Sequence, residues 1–286
     1  MQGVSDVNNS SIKRLLSEIR PPFQPEMLLG KQVSDVRWKV SEWNDASVKN
    51  LACFSQFQTT EEIGKVSMFP DNCIKFLFEC TPGENASRAK FLGINTEKTE
   101  LTLRPNTKYF IFMPYSHLVL NMSIAAGELQ NMNTDIENAL PSSSALVRCQ
   151  ELISAEKSFE ENIDIVVKSA IRDIKGSYTS GISEYCSLAM CLSHGNISSE
   201  NMELFTGYSS RHCRARFKDS YGFSPKRYSI VVRFQGALHE LVNQRDKDAL
   251  DIVNDHGYFD QAHFIKDFKK FTGLCPNEFR RAFAGQ

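Results

Sequence analysis

The organisation of the carboxy-terminal half is decided by residues 256–276, which read HGYFDQAHFIKDFKKFTGLCP. Fifty positions earlier, residues 207–225 read GYSSRHCRARFKDSYGFSP. Both stretches contain Gly-Tyr, then Phe-Lys, then a closing Gly-x-x-Pro, and the second has one more residue between Gly-Tyr and Phe-Lys. A shared pattern of this length indicates that one supersecondary unit is present twice.

Each copy has the local chemistry of a helix, a tight turn and a second helix. The first helix is expected to end at Gly207 or Gly257, because glycine tolerates the left-handed backbone that such a turn requires. Polar residues follow that can accept hydrogen bonds from the free amides of a new helix, namely Ser209 and Ser210 or Asp260. We therefore expect two helix-turn-helix units in tandem.

The second helix of each copy is predicted to be amphipathic. Cys213, Phe217 and Tyr221 share one face of the first, and Phe264 and Phe268 share the corresponding face of the second, so these residues should pack against the preceding helix. The residues expected to face outward are Arg211, Arg214, Ala215 and Lys218 in the first copy and Gln261, Ala262, Ile265, Lys266, Lys269 and Lys270 in the second. A basic stripe is usually a solvated helix face, but its place on the second helix of both units favours contact with DNA.

A separate helix is expected to join the two units. Ser224 can cap its start, and Pro225 suits the first helical position, where no amide proton is needed. Apolar residues such as Tyr228, Val231 and Leu238 would let this helix pack against both units. It should therefore act as a rigid spacer that holds the second helices about one turn of DNA apart.

The amino-terminal half has the pattern of short strands. Residues 74–80 alternate apolar with other side chains, which is the period of a strand with one buried face, and residues 37–43 alternate as well. A further apolar run covers 108–113, and helical pieces are expected at 11–19 and 117–123. The many aromatic residues of these runs predict an ordinary core, with a ligand pocket as the alternative; they are Trp38, Trp43, Phe76, Phe78, Tyr109 and Phe112.

These patterns predict an α+β fold: a β-rich amino-terminal domain over 1–150, followed by an all-α domain over 163–286 in which two helix-turn-helix units are joined by a linker helix. Residues 141–162 contain a Pro-Ser-Ser-Ser loop and an acidic stretch, and are expected to connect the two domains. The helices expected in the all-α domain are 163–175, 183–193, 199–206, 210–221, 225–242, 249–256, 261–271 and 277–283.

The composition is that of a globular protein. The chain has 286 residues, of which 41% are hydrophobic and 23% charged, enough for two ordinary domains. It has no apolar run that could span a membrane and no secretory signal at its start, so we expect a cytoplasmic protein with no membrane partner. The net charge is −1, but the first 162 residues hold 16 basic and 20 acidic residues against 17 and 14 in the rest, a direction that favours DNA binding by the second half.

No constellation of residues points to catalysis. The eight cysteines are scattered without a Cys-x-x-Cys pair and are expected to be reduced and mostly buried. Cys73 with Cys80, or Cys186 with Cys191, could bind a metal, but neither pair has histidines at zinc-site spacing. No phosphate-binding glycine loop is present. The sequence therefore predicts no enzyme, no metal and no cofactor.

The repeated units resemble the AraC/XylS family of bacterial transcription regulators over about residues 180–283. Residues 256–276 follow the family signature nearly position by position. The first unit resembles the family form G-x-S-x-R-x-L-x-R-x-F followed by G-x-S-P, with Cys213 in place of the usual leucine and Ala215 where a base-contacting arginine is common. Cys275 replaces the usual serine before proline, which weakens the cap of the last helix.

The resemblance implies a sequence-specific DNA-binding transcription regulator that reads two adjacent segments of the major groove. The resemblance also implies that base contacts come from Arg211, Arg214 and Ala215 in the first unit and from Gln261, Ala262, Ile265 and Lys266 in the second. It implies that phosphate contacts come from Lys218, Lys269 and Lys270. We expect double-stranded DNA and RNA polymerase as partners and an activating role, although no residue distinguishes activation from repression.

The amino-terminal half resembles the small β-rich domain of one subgroup of these regulators. The similarity rests on Pro70-Asp71-Asn72-Cys73-Ile74, which matches a Pro-Asp-Gly-Cys-like turn before a strand, and less completely on Phe112-Met113-Pro114-Tyr115. Such a domain would sense a small-molecule effector or form a homodimer. A second hypothesis is a ligand-binding or protein-interaction module with a degenerate helix-turn-helix domain, which Ala215 and the low net charge favour.

Overall fold

The computed structural model describes residues 33–45, 48–61, 65–84, 86–115, 120–173, 181–244 and 247–284. The strands in this part of the chain are β1 (Val33–Asp45), β2 (Val48–Thr59), β3 (Lys65–Met68), β4 (Lys75–Cys80), β5 (Arg88–Leu92), β6 (Thr99–Thr102), β7 (Lys108–Pro114) and β8 (Asn133–Asp135). The α-helices are α1 (Ile136–Ala139), α2 (Ala145–Arg148), α3 (Phe159–Asp173), α4 (Ile182–Leu192), α5 (Ser199–Thr206), α6 (Ser210–Tyr221), α7 (Pro225–Asn243), α8 (Ala249–Asp255), α9 (Gln261–Thr272) and α10 (Pro276–Ala284). A β-rich part thus precedes a helical part, which is the predicted α+β fold.

The strands form one large sheet and one small one. Six antiparallel strands follow the order β1-β2-β7-β4-β5-β8, and β3 pairs with β6. The register places Phe76 of β4 and Phe54 of β2 on either side of Phe112 of β7, with ring centroids 5.5 and 5.3 Å from that of Phe112. All three rings are fully buried, so the aromatic residues of β4 and β7 fill a core, as offset rings do in ordinary interiors.

Strand β4 is buried on both faces, so the prediction of a single buried face is wrong. Leu77, on the face expected to be exposed, packs in a second apolar cluster with Val66 of β3 and Leu101 of β6. Lys75 on the same face forms a buried ion pair with Asp71. The small second sheet covers this face, and a charge can be buried there because it has an opposite charge beside it.

The helical pieces expected in the amino-terminal half differ in outcome. The stretch 11–19 lies outside the described residues. Within 117–123, residues 120–123 are described and are not helical. Ser123 instead donates a backbone hydrogen bond to the carbonyl of Ala139 at the end of α1 (2.9 Å), so a distant segment replaces the local helical partner.

The predicted helices of the carboxy-terminal part are all present as α3 to α10. Most bounds agree within two residues, but α3 begins at Phe159, four residues earlier than expected. Ser158 and Glu161 explain the earlier start, because Glu161 Oε2 accepts a hydrogen bond from the Ser158 amide (2.8 Å) and Ser158 Oγ accepts one from the Glu161 amide (3.2 Å). This reciprocal pair is a capping box. None of the helices in the described ranges is long and apolar enough to cross a membrane.

The main core extends from the sheet into the helices. Leu146, Ile153 and Phe159, from the segment expected to be a connection, are buried in the same apolar cluster as Phe110 of β7 and Tyr221 of α6. The rings of Phe110 and Phe159 lie 5.9 Å apart in an edge-to-face contact. The segment 141–162 is therefore not a simple linker, because several of its apolar side chains pack in the main core.

Candidate nucleic-acid interface

The first helix-turn-helix unit consists of α5 and α6. Helix α5 ends at Gly207, whose φ of +73° is the left-handed conformation expected there. The side chain of Ser209 accepts a hydrogen bond from the backbone N–H of His212 and caps α6. Cys213, Phe217 and Tyr221 are buried. The turn, the cap and the packed face predicted from the sequence are confirmed.

The opposite face of α6 is open to solvent. Arg211, Arg214, Ala215 and Lys218 are all exposed. The carboxylate of Glu203 on α5 is hydrogen-bonded to Ser210, because its Oε1 accepts hydrogen bonds from the Ser210 hydroxyl (2.6 Å) and the Ser210 amide (2.7 Å). These hydrogen bonds lower the pKa of Glu203, and the nearby charge of Arg214 adds to the effect. The arginines therefore lie on a face where a nucleic acid could reach them.

The second unit consists of α8 and α9 and repeats the same construction. Gly257 has a φ of +62°, and Asp260 Oδ1 accepts a hydrogen bond from the His263 amide at 2.7 Å. Phe264 and Phe268 are fully buried, as predicted. Asparagine, serine and aspartate at such caps typically contribute about 1 kcal/mol to helix stability.

The predicted outer face of α9 is mostly exposed as well. Exposed residues on this face are Gln261, Ala262, Lys266, Lys269 and Lys270. Ile265 is half-buried. Its position between the exposed stripe and the packed face makes it less accessible to a base edge than its neighbours.

Helix α10 follows the second unit, and one of the two hydrogen bonds of a capping box is present at its start. The amide of Cys275 donates a hydrogen bond to Glu278 Oε2 at 2.8 Å, and this bond lowers the pKa of Glu278. A cysteine thiol is a weak acceptor, so the return bond that serine would provide is weakened.

The segment before the first unit contacts the linker helix and the second unit, which the sequence did not predict. Arg233 of α7 donates a hydrogen bond to the carbonyl of Gly195 before the first unit (3.1 Å). The same guanidinium lies over the ring of Tyr258 in the second unit, 5.3 Å from its centroid. Asn196 packs against Gly257. Arg233 of the linker helix thus joins the segment before the first unit to the turn of the second unit.

His256 lies at the centre of this contact. A Cβ atom on Gly236 of α7 would come within 2.6 Å of the His256 ring, so only glycine allows the close approach. The His256 ring also meets His194 edge-to-face at 5.8 Å, and its Nε2 lies 3.3 Å from Glu240 Oε2. Burial lowers the pKa of His256, although Glu240 opposes this. A glycine inside a helix was the one sequence signal for this contact.

The amino-terminal part also contacts the linker helix α7. Asn72 Nδ2 donates a hydrogen bond to the carbonyl of Tyr228 (2.9 Å), and Gln235 Nε2 donates one to the carbonyl of Pro70 (2.6 Å). Phe69 is buried among apolar residues of the second unit, with its ring 5.9 Å from that of Phe279. Residues 69–72 therefore form an interdomain wedge between the sheet and the helical units.

The end of the first unit rests on the amino-terminal part too. A Cβ atom on Gly222, which has a φ of +77°, would lie 2.5 Å from the carbonyl oxygen of Ala126. Gln130 Nε2 donates a hydrogen bond to the carbonyl of Gly222 at 3.3 Å. Both units are thus in contact with the β-rich amino-terminal part of the chain.

The cysteines have the properties of packed apolar residues. Burial raises the pKa of Cys80 and of Cys149 to about 12, which leaves these thiols protonated and poorly nucleophilic near neutral pH. Within the described ranges, no three histidine, cysteine or acidic side chains lie close enough together to hold a metal ion.

The repeated units are similar in sequence to a known type of domain. A family model described as a helix-turn-helix domain matches residues 205–282. An uncharacterized HTH-type transcriptional regulator of Haemophilus influenzae is 36% identical over 66 residues, which are 23% of this chain and 22% of that protein. The probable transcription factor PqrA of Proteus vulgaris is 35% identical over 75 residues, 26% of this chain and 61% of PqrA.

The family-model match lies within the helical part. The chain spans about a fifth of the length of the first curated relatives it matches. A crystal structure of ToxT from Vibrio cholerae is 11% identical and has a TM-score of 0.47 over 82% of this chain and 99% of ToxT. The matched range 205–282 contains the end of α5 and both second helices with the linker between them. Residues 205–282 of this chain therefore match a helix-turn-helix domain and are similar to parts of these bacterial transcription regulators.

Proposed function

We propose that this protein is a sequence-specific DNA-binding transcription regulator, in which α6 and α9 each enter a segment of the major groove. The observation that carries the proposal is the pair of capped, exposed second helices mounted on the single linker helix α7. In helix-turn-helix proteins the second helix enters the groove and its first residues contact base edges. Here each such helix has a packed aromatic face and an open polar face.

Base reading is assigned to the amino-terminal turns of these helices. Arg211 and Arg214 are three residues apart on one exposed face, and arginine can bind guanine O6 and N7 with two hydrogen bonds. Gln261 and Lys266 offer donors from α9 to base edges, whereas Ala215, Ala262 and Ile265 can make only apolar contacts there. Lysines at the far ends of the helices, Lys218, Lys269 and Lys270, are assigned to phosphates, which position the protein without reading sequence.

The contacts of the second unit with the linker helix support simultaneous binding to two groove segments. The Arg233–Tyr258 contact and the His256–Gly236 packing fix the second unit against α7. Two reading helices in a fixed relation can address segments about one helical turn apart on one side of the duplex. A flexible tether would lose that spacing.

The amino-terminal domain, which we place at 1–150, is proposed to sense an effector or to mediate dimerisation. Phe76, Phe78, Tyr109 and Phe112 are fully buried, which supports the ordinary-core interpretation of these aromatic residues. Any signal from this domain would reach the helical units through the interdomain wedge, through the contacts of Ala126 and Gln130 with Gly222, or through the shared apolar core. RNA polymerase is the further partner that transcription regulation requires.

A protein-interaction module with a degenerate helix-turn-helix domain is the second candidate. The observation that favours it is Ala215, which is exposed at a reading position and offers no hydrogen bond. The two functions are distinguished by whether the full chain binds DNA with sequence preference.

Selection from a random DNA pool tests the proposal. The full chain, bound in repeated rounds to random duplexes, is expected to enrich a site with two elements centred about one helical turn, or roughly 10 base pairs, apart. Failure to enrich any sequence would contradict sequence-specific binding and favour the interaction module.

A further inference from the structure

The turn of the second unit carries an apolar side chain that its own fold does not use. This turn has one residue more than the first, and the extra residue before the cap is Phe259. The side chain of Phe259 is 91% exposed. In the first unit Tyr208 precedes the cap directly and lies against His212, with ring centroids 5.4 Å apart, so it has a partner within its own unit.

The backbone on both sides of Phe259 is held firmly. Tyr258 is buried, packs edge-to-face on Phe264 at 5.1 Å and lies under the guanidinium of Arg233. On the other side, Asp260 caps α9 through its bond to the His263 amide. A phenylalanine fixed in this way loses little conformational entropy when it makes a contact, because its backbone is already ordered.

The position of Phe259 places it beside the residues assigned to base reading. It directly precedes the cap of α9, and Gln261 and Ala262 follow at the first exposed positions of that helix. The amino-terminal end of a second helix is the end that approaches the bases. Thymine is the one base of DNA whose major-groove edge carries a methyl group, and phenylalanine is among the residues that contact it.

We propose that Phe259 is a specificity-determining residue that contacts the 5-methyl group of a thymine in the DNA segment bound by the second unit. The inference rests on the proposed function and assigns one base within it. It predicts an asymmetric site, because Tyr208 in the first unit is paired with His212 and adds no equivalent contact. Burial of one methyl group changes affinity by about fourfold.

Replacement of single thymines by deoxyuridine in the site enriched by the full chain tests the inference. We expect the wild-type protein to bind about fourfold more weakly when one particular thymine of the second element loses its methyl group. Phe259→Ala should bind the original site more weakly by a similar factor and should not respond to deoxyuridine at that position. Leu152→Ala is the matched control, since Leu152 is also an exposed apolar residue (55%) but lies outside the helical units.

Several results would overturn the assignment. A wild-type protein insensitive to deoxyuridine throughout the second element would do so without any variant. A methyl effect that persists in Phe259→Ala would assign the contact to another residue, such as Ala262. If Phe259→Ala weakens binding to the enriched site and to random DNA equally, the ring contacts the sugar-phosphate backbone of the DNA and reads no base. If no site is enriched at all, the proposed function fails first, and the inference falls with it.

Discussion

The burial of Phe69 against the second unit predicts that this residue contributes to the free energy of unfolding of that unit. Phe69 lies in the chain segment before β4 and is 5% exposed, yet it packs in the core of the second unit with Phe268 and Phe279. Truncation of a buried phenylalanine to alanine typically costs about 3–5 kcal/mol. We expect Phe69→Ala to lower the free energy of unfolding of the second unit by about 3 kcal/mol, the lower end of that range, because Phe69 lies at the edge of the cluster and its neighbours can partly close the gap.

Urea unfolding followed by two probes measures this effect. The two tryptophans of the chain, Trp38 and Trp43, both lie in β1, so their fluorescence reports on the sheet, whereas far-ultraviolet circular dichroism reports mainly on the helices. The two transitions should coincide in the wild-type protein, since one apolar cluster spans both parts. In Phe69→Ala the helical transition should move to lower urea by about 1 M, if m is roughly 3 kcal/mol per M.

A control variant and a contrary result define the test. Leu204→Ala removes a side chain that is 84% exposed and should shift neither transition by more than about 0.5 kcal/mol. If Phe69→Ala behaves like Leu204→Ala, Phe69 does not support the second unit and the wedge is not an energetic link between the two parts.

Three further predictions concern the interface and the contact of the second unit with the linker helix. Arg214→Ala should weaken binding to the enriched site by about 1–3 kcal/mol and leave binding to random DNA almost unchanged; equal weakening of both in a gel-shift titration would make the residue a phosphate contact. Lys269→Ala should weaken both by a similar factor and lower the slope of log Kd against log salt by about one, and an unchanged slope would contradict its assignment. Burial lowers the pKa of His256 against the opposing effect of Glu240, and the charges of His194 and Lys247 lower it further, so the unfolded chain binds the proton more readily. The stability from neutral His256 is therefore present above about pH 6.5 and lost as the pH falls below it. The urea midpoint of the wild-type protein should fall between pH 8 and pH 5.5 by more than that of His256→Asn. An equal change in the two proteins would refute this.

Local chemistry made the helical half predictable. The glycines at 207 and 257, the caps Ser209, Asp260 and Ser224, and the aromatic spacing of the second helices each determine structure within a few residues of themselves. The bounds of α5 and α6 follow directly from such signals. The outer faces of α6 and α9 follow from helical periodicity once the packed face is known.

Long-range packing could not be predicted in this way. The burial of both faces of β4 depends on the two-stranded sheet, whose strands β3 and β6 are short and separated by 30 residues. The insertion of Phe69 into the second unit joins residues about 200 positions apart in sequence, and no local pattern encodes such a pair. The contact of Arg233 with Gly195 and Tyr258 is of the same kind.

Binding of the full chain to DNA over a range of salt concentrations tests the central claim most directly. The measurement is the fluorescence anisotropy of a labelled duplex that carries the enriched site, and of a second duplex with the same composition in scrambled order. We predict that log Kd rises steeply and linearly with log salt between about 50 and 200 mM for both duplexes. The enriched site should stay at least roughly a thousandfold tighter. A flat salt response, or equal affinity for the two duplexes, would contradict sequence-specific DNA binding by α6 and α9.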